Sequence, residues 1–188
     1  MPNLQVIIAS TREERKGPLI AEWFMAQARR HGKFDVELID LRDVALPLFD
    51  EPRHPRLQQY EHEHTKRWSA IVQRADAFVF VTPEYNFGTP PSLVNALDYL
   101  VKEWAYKPAA FVSYGGVSAG LRGVQMSKQM VSALRMVPVV EAVAIPMFPQ
   151  YINGETGVFD PGEVQAQASD AMLNELLKLA NVLAPLRG

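Results

Sequence analysis

The chain has no cysteine among its 188 residues. It therefore forms no disulfide, no thiolate-held cluster and no cysteine zinc site, so any redox chemistry must be carried by a bound cofactor. It also lacks a charge surplus: 19 lysines and arginines against 21 aspartates and glutamates leave a formal charge of -2. Without a basic excess there is no electrostatic basis for a nucleic-acid partner. No apolar run approaches the roughly 18 residues that span a bilayer. Met1 to Leu4 lead straight into a strand pattern, without the basic, apolar and small-residue regions of a signal peptide. The expectation is a cytoplasmic protein that partners neither membrane nor nucleic acid.

What is present has an ordinary globular balance, 48% hydrophobic and 21% charged, with no linker, repeat or low-complexity tract. The length suits one core, so residues 1–188 are expected to form a single domain. Leu4 to Ala9 is a short apolar run rich in β-branched residues, as in a strand buried on both faces of a parallel sheet. Ile20, Trp23 and Phe24 then recur at helical spacing until Arg29, Arg30, His31 and Gly32, which are stop signals. Phe34 to Ile39 alternates like an outer strand, and Asp40 to Pro55 reads as a loop.

The alternation continues. Helices are expected around Trp68 to Ala75, Leu93 to Val101, Leu121 to Leu134 and Asp160 to Leu183. Strands are expected at Ala77 to Val81, Ala109 to Ser113 and Val139 to Ile145. Five strands alternating with five helices imply right-handed crossovers and a five-stranded parallel sheet inside a three-layer α/β/α sandwich. The flavodoxin-like order 2-1-3-4-5 fits this count and places the ligand crevice where the chain leaves the first and third strands.

The first exit is Ser10-Thr11-Arg12-Glu13-Glu14-Arg15-Lys16-Gly17-Pro18, whose hydroxyls and guanidiniums stand at a helix N-terminus. Such a loop is either a monophosphate site or a solvated charged loop. It has neither GxxxxGK[ST] nor GxGxxG, which removes the usual triphosphate and dinucleotide cradles.

The third exit is more specific. Pro83-Glu84-Tyr85-Asn86, a proline at Pro90 and Asn95-Ala96-Leu97-Asp98 together resemble the NAD(P)H-dependent FMN reductase family. The family's Gly-Ser-x-Arg loop has its counterpart in Ala9-Ser10-Thr11-Arg12, with alanine in place of glycine. The family's glycine-rich turn after the fourth strand has its counterpart in Gly115-Gly116-Val117-Ser118-Ala119-Gly120-Leu121-Arg122.

The resemblance implies that the domain binds FMN. Ser10 and Arg12 would hold its phosphate, with Arg15 and the backbone near Pro18, Leu19 and Ile20. Pro83, Glu84, Tyr85, Asn86 and Phe87 would line the isoalloxazine ring, and Gly115 and Gly116 would admit its pyrimidine edge. Arg122 would lie near a subunit contact and the flavin's rim, or be a surface ion pair. The implied activity takes hydride from NADPH or NADH and passes electrons to a small acceptor, whether flavin, quinone, azo dye or metal oxyanion. A homodimer or homotetramer is implied as well. The flavin carries the chemistry, so no catalytic side chain is expected. The alternative is an electron carrier or flavin-binding regulator with little NAD(P)H turnover.

Three other signals are set aside. Gly116-Val117-Ser118-Ala119-Gly120 matches a nucleophile elbow, but His31, His54, His62 and His64 all precede Ser118, the wrong chain order for that triad. Glu61-His62-Glu63-His64 has no evident third metal ligand and reads as a solvated helix start. Asn95 and Asp98, beyond the first helical turn, read as structural.

Overall fold

A computed structural model describes residues 1–187. Its elements run β1 (Asn3–Ile8), α1 (Gly17–His31), β2 (Asp35–Asp40), α2 (Leu41–Val44), α3 (Glu63–Gln73), β3 (Ala77–Pro83), α4 (Pro91–Asp98), β4 (Pro108–Tyr114), α5 (Leu121–Ala133), β5 (Val137–Pro138), β6 (Val143–Ile145) and α6 (Glu163–Leu183). All strand pairings are parallel, in the order β2-β1-β3-β4-β5, with β6 also on β4. This is the flavodoxin-like arrangement expected from the sequence.

The period-2 pattern of the central strands explains the three layers. Leu4, Val6, Ile8, Val79, Val81 and Val112 pack under α1 and α6 with Ile20, Phe24, Met172 and Leu176. The alternate residues Ile7, Phe78, Phe80 and Phe111 pack on the other face with Trp68, Leu97, Trp104 and Val131. β3 and β4 are buried at every position, which is why they read as unbroken apolar runs, whereas β2 at the sheet edge is half exposed and alternates.

Two local expectations need correction. The expected fifth strand, Val139 to Ile145, is two short pieces. Val137 and Pro138 pair with the start of β4, and Val143 to Ile145 pair with its end. Between them the chain leaves the sheet once the Val139 amide has donated to the Ala109 carbonyl at 2.9 Å, with Val140 86% exposed. The second correction concerns the Asp40 to Pro55 loop, which contains the helical turn α2. The Asp40 side chain caps that turn by accepting the Arg42 amide at 2.9 Å.

Candidate active site at the carboxyl ends of the strands

The exits of β1, β3, β4 and β6 converge on a cavity of about 370 Å³. Its walls are Arg12, Arg15 and Lys16 from the first exit, Pro83, Glu84 and Tyr85 from the second, Tyr114, Gly115 and Gly116 from the third, and Met147, Phe148 and Pro149 from the last. Of the residues expected from the sequence, the structure thus brings together Arg12, Arg15, Pro83, Glu84, Tyr85, Gly115 and Gly116 around one cavity. Ser10 lies beneath the wall, and Pro18, Leu19 and Ile20 form the first turn of α1 beside it. Asn86 and Phe87 stand at the tip of a turn outside it.

The loop after β1 is built around close approaches. Ser10 is buried and its Oγ accepts the Tyr114 hydroxyl at 3.3 Å. A Cβ on Gly17 would meet Ser10 Oγ at 2.5 Å and the Tyr114 hydroxyl at 3.1 Å, so only glycine lets α1 start this close. Burial pushes the Tyr114 phenol up to about 12, keeping it a neutral donor. Ala9, in the place of the family's glycine, fits without strain: its amide donates to Val81 at 3.0 Å and its carbonyl accepts from Ser92.

The two arginines of this loop differ in kind. Arg15 donates to the Ser10 carbonyl at 2.6 Å and to both Asp40 oxygens at 2.5 Å, so its guanidinium braces the loop against β2. The hydrogen bond to Asp40 raises it above its ordinary value. Arg12 is exposed and, among the described residues, makes no hydrogen bond or ion pair. The N-terminus of α1 is likewise open. Lys16 provides no side-chain cap, the first turn carries no acid, and the Gly17 and Leu19 amides have no protein acceptor among the described residues.

The second exit is a two-residue turn. Tyr85 and Gly88 exchange backbone hydrogen bonds at 3.0 and 2.9 Å around Asn86 (φ 48°) and Phe87 (φ 67°). Two left-handed residues in succession suit asparagine, but for phenylalanine this backbone is strained. The turn is bolted to α5. Glu84 accepts Arg122 Nε at 2.6 Å, the Arg122 amide at 3.0 Å and Ser118 Oγ at 3.2 Å. The Arg122 guanidinium also lies 3.7 Å from the centre of the Phe87 ring. A Cβ on Gly123 would strike the Gly88 carbonyl at 2.9 Å, so the contact depends on glycine there.

At the third exit, an added Cβ on Gly116 would meet nothing within 4 Å. The missing side chain leaves open space on the cavity wall, and the Gly116 amide has no protein acceptor among the described residues. Tyr114, Met147, Phe148 and Pro149 were not singled out in the sequence. Tyr114 and Phe148 pack edge to face at 5.3 Å. The topological rule that places the crevice at the exits of the first and third strands, extended to the chain after Ile145, marks the last three.

The signals set aside have structural uses. Ser118 serves Glu84, and Asn95 ties down the preceding loop through the Pro47 carbonyl (2.7 Å) and the Phe49 amide (2.9 Å). His62 and His64 stack at 5.1 Å beside Asp50. Among the described residues no cluster of three or more acids or histidines is arranged to hold a metal, and no helix is long and apolar enough to cross a membrane.

A family model described as NADPH-dependent FMN reductase matches residues 2–150. An NAD(P)H-dependent FMN reductase of Schizosaccharomyces pombe is 42% identical over 149 residues, 77% of this chain and 74% of that protein. A quinone reductase of Pseudomonas putida is 27% identical over 84% of this chain and 81% of its own length. Among solved structures, the flavoenzyme NAD(P)H:(acceptor) oxidoreductase FerB from Paracoccus denitrificans has the same fold, with a TM-score of 0.75 at 20% identity over 96% of this chain and 98% of that one. The long family match and the closely similar yeast reductase agree with the three motifs at the strand exits: the chain belongs to the NADPH-dependent FMN reductase family.

Proposed function

We propose that the cavity holds FMN and that the protein is an NAD(P)H-dependent FMN oxidoreductase reducing small acceptors. The observation that carries this reading is one cavity with two unlike kinds of lining. It is lined by the Arg12 guanidinium, unpaired among the described residues, from the loop leading to the uncapped start of α1. It is also lined by the Tyr85 ring and by the open backbone at Gly116.

The residues fit the group. Arg12 and the free Gly17 and Leu19 amides would take the phosphate, with Ser10 shaping the loop from below. Arg15 would act mainly by holding that loop on Asp40. Pro83, Glu84 and Tyr85 would flank the ring, with Asn86 and Phe87 at its rim, and the Gly116 amide would donate to the pyrimidine edge, favouring negative charge there. Met147, Phe148 and Pro149 would keep water from the remaining side. Bound FMN would supply the hydride acceptor and electron relay; the protein supplies placement, and no side chain need move a proton.

The Pseudomonas putida relative supports quinones among the acceptors. The chain would act as one FMN-binding domain in the cytoplasm. Exposed Phe87 (68%), Val117 (89%) and Met147 (49%) around the cavity mouth support a homodimer or homotetramer that covers this rim.

The test is the visible spectrum of the purified protein together with NADPH and NADH oxidation in the presence of FMN and a quinone. A yellow protein that oxidises at least one nucleotide is expected. A chain that neither binds added FMN nor oxidises either nucleotide would overturn the reading.

A further inference from the structure

In the sheet β1 and β4 are not neighbours, because β3 lies between them. One side chain nevertheless joins their exits. Tyr114, the last residue of β4, lines the flavin cavity and packs its ring edge to face on Phe148, which lines the same cavity. Its hydroxyl spans the width of β3 and donates to Ser10 Oγ in the loop after β1 at 3.3 Å.

That loop is held on both flanks. Toward β2, Arg15 donates to the Ser10 carbonyl at 2.6 Å and to both Asp40 oxygens. Toward β4, the hydrogen bond to the loop comes from Tyr114. Gly17 packs on the same junction, since a Cβ there would lie 2.5 Å from Ser10 Oγ and 3.1 Å from the Tyr114 hydroxyl. The groups assigned to the phosphate hang on this junction. Arg12 follows Ser10 by two residues, and the Gly17 amide, with no protein acceptor among the described residues, belongs to the residue packed against it. Donors on a loop recognise an anion only as well as the loop backbone is fixed, so the groups that fix it share in the recognition.

We propose that Tyr114 is a positioning residue for the phosphate end of the bound flavin: by holding Ser10 it sets the loop that carries Arg12 and the start of α1. The role rests on the reading of the cavity as an FMN site. It belongs to the hydroxyl, which holds Ser10, whereas the ring serves the packing against Phe148.

The test compares FMN with riboflavin, which lacks the phosphate, titrated into the 188-residue chain and followed by flavin fluorescence. The readout is the preference for FMN, the riboflavin dissociation constant divided by that of FMN. Tyr114→Phe keeps the ring and removes the hydroxyl, and should lower this preference about threefold to tenfold, as for one neutral hydrogen bond. Ser10→Ala should lower it by a similar factor. If Tyr114 acts through Ser10, the double variant should match Ser10→Ala within about twofold; independent action would multiply the two losses to about ninefold or more. A preference unchanged in Tyr114→Phe, or losses that multiply, would overturn the role while leaving the flavin site standing. If Tyr114→Phe fails to fold, Ser10→Ala decides: a lowered preference supports the role and an unchanged one overturns it. An unaltered chain that binds riboflavin as tightly as FMN would overturn the phosphate site itself, and the role with it.

Discussion

Arg15 meets both carboxylate oxygens of Asp40 at 2.5 Å, tying the loop after β1 to the end of β2, while Arg12 three residues earlier has no partner among the described residues. The two guanidiniums should therefore fail differently when removed. Arg12→Ala is expected to weaken FMN binding by about 1.5–3 kcal/mol, as for one lost charged hydrogen bond, and to leave the stability of the FMN-free protein within about 0.5 kcal/mol. Arg15→Ala should instead lower that stability by about 1–3 kcal/mol, because it leaves a largely buried carboxylate unpaired. Urea unfolding of the FMN-free protein and flavin-fluorescence titration separate the two effects. The reverse pattern would make Arg15 the phosphate ligand.

Glu84 gives the turn after β3 a pH dependence. Burial alone would raise its carboxyl, but the hydrogen bonds from Arg122 and Ser118 outweigh it and hold the group below its ordinary value near 4.5. A carboxyl depressed on folding contributes stability above its unfolded value and loses it as pH falls through the folded one. Stability should therefore fall below about pH 4.5 more steeply in the wild type than in Glu84→Gln. The check is urea unfolding of both proteins from pH 7 to 3; parallel curves would mean that the clamp does not couple to folding. Arg122→Lys, with a point charge in place of a planar fork, should rescue FMN affinity only partly relative to Arg122→Ala.

Much of this was legible in the sequence because parallel strands buried on both faces have little choice of composition. Phe78 to Val81 and Ala109 to Val112 read as strands since nothing polar could sit there. The Pro83 to Asn86 and Gly115–Gly116 segments stood out because their residue types serve turns and close approach. What stayed hidden depended on distance across the chain. Nothing local marks Arg15 as Asp40's partner or Glu84 as the acceptor for Arg122, and the apolar Met147 to Pro149 looks like any strand end. The break at Val139 to Ala142 was masked by Val140, which satisfies strand propensity yet faces solvent.

Phe87 offers a test of stored strain. Its left-handed backbone is poor for a phenylalanine and worse for a β-branched residue, while the contact of its ring with Arg122 compensates in part. Phe87→Val should destabilise the protein by about 1–2 kcal/mol, and Phe87→Asn should be at least about 1 kcal/mol more stable than Phe87→Val despite also losing the ring. Thermal unfolding of the two variants decides. Equal stabilities would show that the turn relaxes out of the left-handed region when the ring is removed.

Gly17→Ala sets two effects against each other. In most helix starts, replacing glycine by alanine stabilises by about 0.5–1 kcal/mol through the unfolded chain. Here the new methyl would stand 2.5 Å from Ser10 Oγ and 3.0 Å from Ile8 Cγ2, a strand residue that cannot retreat. The overlap should win. We expect a net loss of about 1–3 kcal/mol from overpacking, together with weaker FMN binding as α1 is pushed away from the loop. The paired variant Gly17→Ala with Ser10→Gly, which removes the hydroxymethyl the new methyl strikes, should recover part of the stability. Because Ser10 shapes the phosphate loop, it should recover less of the FMN affinity. Denaturation of the FMN-free proteins and flavin titration measure the two recoveries separately. Full recovery of both would mean that Ser10 only fills space beneath the loop.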